Sequence, residues 1–227
     1  QYSSDPLAIE SEFSLASLYF EQKNFKEALK GYEDLVQHYP DERLAPHALF
    51  NSAICENELG DLDKALKDFA QLSASYPKDP LAAEADLQRG IMLDKSDRFK
   101  DALQAYARAG QASDADLAVE ATYYHADLKR RMKKYGESIR EFNELTVRFP
   151  SEDQWVVTAY AQIAKCYEEQ KKYQQAYQAY ERILRYTKDK TYRAATYKHL
   201  NALKPFLGKS KARVRAKPVS KGKKVKR

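Results

Sequence analysis

The chain has 227 residues, 43% of them hydrophobic and 32% charged, with only seven Gly and eight Pro. That balance excludes a wholly disordered chain and favours long helices over many short strands with tight turns, and no stretch approaches the roughly 20 uninterrupted apolar residues that span a bilayer. The formal charge of +6 is unevenly placed: residues 209–227 hold ten Lys/Arg and no Asp/Glu, leaving 29 basic against 33 acidic side chains in residues 1–208.

Residues 1–7 read as a short lead. The first residue is Gln1 and not Met, so a preceding segment is expected to have been removed, whether a signal peptide or another piece. From residue 8 a period of about 37 residues takes over. The first unit, 8–40, places Leu15, Ala16 and Tyr19 on a helix A, a polar turn at 21–24, then Phe25, Ala28, Tyr32 and Leu35 on a helix B that Pro40 stops. Spacings of three and four put each set on one helix face.

The second unit, 45–77, repeats the pattern with Ala53, Leu62, Ala65, Phe69, Leu72 and Pro77. The third, 82–114, does so with Gly90, Phe99, Ala102, Tyr106 and Ala109, but Asp114 stands where the proline would be. The fourth, 118–150, has Ala126, Tyr135, Ser138, Phe142, Leu145 and Pro150; the fifth, 155–188, has Ala164, Tyr173, Ala176, Tyr180 and Ile183, with Lys188 in the proline slot. The small residue of helix A lets two backbones approach, and the aromatic of helix B fills the gap. Asp61 and Asp97, in the polar turns, are expected as N-caps of the B helices. Residues 190–207 read as one more helix, with Tyr192, Ala195, Leu200 and Leu203 on its apolar side, covering the last repeat as a cap.

A small residue in helix A, alanine then an aromatic in helix B, and a closing proline together resemble the tetratricopeptide repeat. The resemblance covers residues 8–188 and implies an all-α fold, a right-handed α-solenoid of about five helix pairs plus the C-terminal capping helix. It also implies a non-enzymatic protein-binding scaffold. The longer linkers, 41–46 and 78–83, are similar to those of bacterial cell-envelope members of the family, such as the outer-membrane assembly lipoprotein BamD and the Tol–Pal coordinator. On that analogy the protein is expected in the periplasm or at the outer membrane of a Gram-negative bacterium, with the cytoplasm as the alternative.

Little in the chain suggests chemistry. Cys55 and Cys166 occupy the same helix A slot three repeats apart, so they are expected as small buried hydrophobes rather than a disulfide. His38, His47, His125 and His199 show no metal spacing, and no phosphate-loop, dinucleotide or nucleophile-elbow motif occurs. The acidic residues along the helices, such as Glu10, Glu12, Glu21, Glu27 and Glu33, read as a solvated face. No catalytic residue, metal, cofactor or small-molecule substrate is expected.

The family's register instead implies a concave groove lined by the A helices. Transferred here, it gives Phe13 and Phe20, then Phe50, Ile54 and Asn57, then Leu87 and Ile91, and finally Tyr123, Asp127, Arg130 and Arg131. In the fifth unit the same slots hold Thr158, Ala161, Lys165, Glu168 and Glu169. Such a stripe suits an amphipathic helix or an extended apolar segment of a partner, with Arg130 and Arg131 as a positive end; the alternative is that the side chains pack on one another and narrow the groove. The cationic clamp by which some family members hold a terminal carboxylate is not matched. The basic segment, Lys209, Lys211, Arg213, Arg215, Lys217, Lys221, Lys223, Lys224, Lys226 and Arg227, is expected to be disordered. Three uses stay open for it: contact with an anionic membrane surface or other polyanion, solubilisation, or nucleic-acid binding, though no aromatic is interleaved to stack bases.

Overall fold

The computed structural model describes residues 6–151 and 153–207; the basic segment at 208–227 lies outside them. Among the described residues there are eleven helices and no strand: α1 (Pro6–Glu21), α2 (Phe25–His38), α3 (Ala45–Glu58), α4 (Leu62–Ser75), α5 (Pro80–Lys95), α6 (Phe99–Ala109), α7 (Ala115–Arg131), α8 (Tyr135–Arg148), α9 (Asp153–Glu169), α10 (Tyr173–Tyr186) and α11 (Lys190–Leu207). They form two compact units, which divide between Met132 and Lys133. The division falls between α7 and α8, inside the repeat expected at 118–150.

In the first unit each helix packs on the next along the chain, and the A helices also meet, α3 on α5 and α5 on α7. Contact with sequence neighbours and with the next repeat's equivalent helix is how a repeat array buries its faces. The periodic slots supply the core. Ala16, Ala53 and Gly90 are buried on the A helices, and Ala28, Tyr32, Leu35, Ala65, Phe69, Leu72, Ala102, Tyr106 and Ala109 on the B helices. A Cβ added to Gly90 would lie 2.6 Å from the Tyr106 ring, and one added to Gly31 would lie 2.9 Å from the Ala16 Cβ. At both points the helices meet closely enough that the side chain must be absent. Burying each large ring stabilises the stack by roughly 1.5–3 kcal/mol.

The turns between helices A and B share one geometry. Lys23, Gly60, Asp97, Lys133 and Lys171 have positive φ, and only one of them is glycine. Around Lys23 the backbone bonds run from Lys23 N–H to Phe20 O (2.9 Å) and from Asn24 N–H to Tyr19 O (2.9 Å), and the same pair recurs at Gly60, Asp97 and Lys171. This is the Schellman arrangement, which satisfies the last carbonyls of helix A. It also revises the capping expectation. Asp61 does precede α4, but its carboxylate pairs with Lys64 at 2.8 Å and makes no cap bond; Asp97 is the left-handed residue itself, and Arg98 takes the cap position of α6. Leaving a Schellman turn, the cap residue has ψ of 55–67 rather than an extended backbone, so its side chain is not aimed at the first N–H groups. Side-chain caps occur where the linker enters an A helix extended: Asp79 accepts from Leu81 N–H and Asp114 from Leu117 N–H, both at 2.9 Å. Asp114 therefore starts α7, while α6 ends early at Gly110 without a proline.

Where Pro40, Pro77 or Pro150 closes a repeat, the residue before it is the helix C-cap. Tyr39, Tyr76 and Phe149 are the C-caps of α2, α4 and α8. The Tyr76 hydroxyl then donates to Pro40 O at 2.7 Å, tying one repeat's end to the previous one.

In the second unit α8, α9, α10 and α11 pack in succession. Ser138, Phe142 and Leu145 of α8, Ala164 of α9, and Ala176, Tyr180 and Ile183 of α10 are buried. Tyr186 repeats the tie of Tyr76, donating to Pro150 O at 2.9 Å. Helix α11 lies on α10, with His199 stacked on the Tyr180 ring at 4.8 Å and Tyr173 against Phe206 at 4.7 Å. Its buried residues are Thr196, Leu200 and Leu203; Ala195, expected inward, is exposed. Counting back four from Leu200 reaches Thr196, whose hydroxyl donates to Tyr192 O at 2.7 Å, so the helix buries a threonine without leaving it unbonded.

Candidate functional site

All eleven groove residues lie in the first unit, on the A helices α1, α3, α5 and α7. Their aromatic members are half-buried and rest on specific neighbours. Phe13 leans on Tyr32 (5.5 Å between ring centroids) and on His47 (6.5 Å, edge-on). Phe20 meets Phe25 at 5.7 Å, Phe50 meets Phe69 at 5.2 Å, and Tyr123 meets Tyr124 at 5.8 Å. These contacts hold each ring to a fixed place while part of its surface stays open.

The middle of the stripe is where the structure brings residues together. Ile54 and Asn57 of α3 and Ile91 of α5 line one cleft of about 420 Å³, closed by Leu62 and Met92 and edged by Glu58 and Lys95. Ile54 and Ile91 are half-buried and Asn57 is exposed. Leu87, one turn before Ile91, is 4% exposed and sits in the core.

At the α7 end the charges pair with each other. Arg130 Nε donates to Asp127 Oδ1 at 2.9 Å, and Arg131 reaches both Asp127 (3.3 Å) and Asp94 of α5. The two arginines thus carry carboxylate partners within the same unit. Other register residues are engaged likewise: Glu10 pairs with Arg43 at 3.4 Å, and Ser17 accepts the Tyr32 hydroxyl at 3.0 Å. In the second unit Glu168 accepts the Tyr180 hydroxyl at 2.8 Å. Burial, then the Glu168 carboxylate, pushes the Tyr180 phenol above its ordinary range; burial, then Asp94, does the same to Tyr106.

Two buried charged features were not visible in the sequence. Glu56, on α3, is 2% exposed with one carboxylate oxygen unbonded. Burial pushes its pKa up to about 7, helped by Asp68 of α4 and Glu33 of α2. Its one sequence signal is position: it follows Ala53 by three residues and so shares the buried face. Asp86, on α5, is 4% exposed and takes a two-pronged bond from Arg108 at 2.9 and 2.7 Å. That pair lies in a larger cavity, about 620 Å³, between the α4–α5 and α6–α7 connections and away from the groove residues.

Cys55 and Cys166 are free and buried, and burial raises the Cys55 thiol to about 12, so it is a packing residue and not a nucleophile. Ser138 lies 3.6 Å from the Cys166 sulfur, which gives the serine in the alanine slot a polar neighbour. His47 and His199 serve as ring contacts, and His38 bonds Asp34 O at 2.7 Å. Among the described residues no three of His, Cys, Asp or Glu are grouped to hold a metal, and no helix is long and apolar enough to cross a membrane.

Two sequence-family models, both described as tetratricopeptide repeat, match the chain, one over residues 13–80 and 58–117 and the other over 159–186. No curated protein matches the sequence. Similar solved structures include MamA, at 16% identity and a TM-score of 0.61, with 78% of this chain and 91% of that one covered. PilF of Pseudomonas aeruginosa aligns at 14% identity and a TM-score of 0.56, with 91% of each chain covered. The TPR-like repeats of a putative kinesin light chain from Podosopora anserina align at 12% identity and a TM-score of 0.58, with 81% of this chain and 97% of that one covered. At these identities the likeness is one of fold.

Proposed function

We propose that this chain, which belongs to the tetratricopeptide-repeat family, is a protein–protein interaction scaffold whose A-helix groove in the first unit holds one segment of a partner. The observation that supports this most is the cleft between α3 and α5, with apolar walls at Ile54 and Ile91 and polar groups at its edges. That arrangement accepts an apolar side chain presented by a helix or an extended strand, while the polar edge orients the segment. The partner segment is apolar rather than acidic, because Arg130 and Arg131 are engaged by Asp127 and Asp94. In this reading the protein performs no reaction and uses no cofactor or small-molecule substrate.

Double alanine substitution at Ile54 and Ile91 tests the groove. Both side chains are half-buried, so helicity should persist while affinity for a captured, purified partner falls at least tenfold by titration calorimetry. Unaltered affinity with intact helicity rejects the groove. We place the scaffold in a Gram-negative cell-envelope assembly, periplasmic or outer-membrane-associated; the long linkers at 41–46 and 78–83 support that placement, and cell fractionation tests it against the cytoplasm. A second reading is an adaptor for anionic surfaces or nucleic acid, favoured by the ten Lys/Arg without an acidic residue at 209–227. It requires that deleting this segment abolish salt-sensitive binding to anionic vesicles or RNA.

A further inference from the structure

Seven large apolar side chains are exposed among the described residues, and five of them sit on two helices: Leu7, Leu15 and Leu18 on α1, Tyr197 on α11, and Phe206 on the opposite side of α11, where it meets Tyr173. On α1, Leu7, Ser11, Leu15 and Leu18 follow at spacings of four, four and three, so they share one face. The hydroxyls on this side turn inward: Ser11 donates to Leu7 O and Ser14 to Glu10 O, both at 2.7 Å. Beside the stripe lies a cleft of about 270 Å³ between α1 and α2, floored by Leu15, Tyr19 and Gly31 and rimmed by Glu12, Glu27 and Asp34.

The charges of the two helices are opposite. α1 contains Glu10, Glu12 and Glu21 and no Lys or Arg. α11 contains Lys190, Arg193, Lys198 and Lys204 and no Asp or Glu. Tyr197 and Lys198 are both exposed on α11, so that helix offers an aromatic ring beside a cation, where α1 offers leucines beside carboxylates.

We propose that the outer face of α1 of one copy docks on the outer face of α11 of a second copy. Like faces repel, since α1 against α1 would bring carboxylates together and α11 against α11 would bring cations together. Every contact therefore joins unlike faces, one α1 to one α11. Association grows as concentration rises. It weakens with salt, because the paired charges are exposed and screened.

Sedimentation of the full chain over a range of concentrations tests this. At low salt the weight-average mass rises above the monomer mass with concentration, and about 0.5 M salt moves the same association to several-fold higher concentration. Leu15→Glu removes one face and Tyr197→Glu the other. Both positions are about half exposed, so circular dichroism should be unchanged. Each variant alone is monomeric, and an equimolar mixture forms a pair that grows no further, since the mixture retains one intact α1 face and one intact α11 face. A wild-type chain that stays monomeric, a variant that associates as the wild type does, or a mixture that stays monomeric overturns the proposal. Pairing of α1 with α1 would show as a dimer that survives Tyr197→Glu.

Discussion

Each A helix of the first unit presents two different faces. Toward its B helix it is small and closed: Ala16, Ala53 and Gly90 are buried, and the ring of Tyr106 fills the space a Gly90 side chain would need. Toward the groove it is large and half-open: Phe13, Phe50, Ile54 and Ile91 keep part of their surface exposed. One helix thus serves stability on one side and, under the proposed function, recognition on the other. The closed side recurs every 37 residues or so because every repeat must solve the same packing problem; the open side differs between repeats because nothing in the fold dictates it.

The sharpest way to test that division is to truncate one residue from each side. Phe69→Ala, on the closed side, should cost about 3–5 kcal/mol and lower the thermal midpoint strongly, whereas Ile54→Ala should cost about 1 kcal/mol and act on partner affinity instead. Equal losses of stability would erase the distinction. Glu56→Gln probes a charge on the closed side. The carboxyl pKa is raised to about 7, so the folded chain holds the proton more tightly than the unfolded one. Its stability is therefore highest in acid and is lost as pH climbs from the ordinary carboxyl range through 7. The variant should gain about 1–3 kcal/mol over the wild type at pH 8 and little at pH 4, read from denaturant midpoints at both values. Gly90→Ala should lose about 1–2 kcal/mol, because the ring it meets is itself fully packed; a neutral result would mean the helix pair can part. The smallest expected effect is a gain. Lys171→Gly relieves a left-handed lysine and should add about 1 kcal/mol, seen as a rise of a few degrees in melting temperature.

The closed side was legible in the sequence almost residue by residue. Spacing of three and four specifies which residues share a face, and the recurrence of Ala, aromatic and Leu specifies which face is buried. Fine geometry was not legible. Asp61 and Asp97 are good capping residues by type, but the turn gives Asp61 a backbone other than the extended one of Asp79 and Asp114 and uses Asp97 as its left-handed residue. Ala195 looked inward by composition, yet the phase of α11 is set by Leu200 and Leu203. Leu87 belongs to the groove register but is covered. Burial at such positions depends on how closely a third helix approaches, which spacing within one helix does not encode. For the same reason the ion pairs of Arg131 and the burial of Glu56 emerge only once α5, α7 and the neighbours of α3 are in place.

Seventeen tyrosines is a large number for this length, and the B-helix aromatics give several of them a distinct optical behaviour. Tyr32, Tyr106 and Tyr180 keep their rings sealed, and burial raises the phenol of each. Tyr76, closer to solvent, is also raised by burial. In alkali the open phenols deprotonate first and the sealed ones only when their helix pair parts. Tyrosinate absorbance against pH should thus rise in steps, each late step marking the opening of one repeat, with the dye already written into the chain.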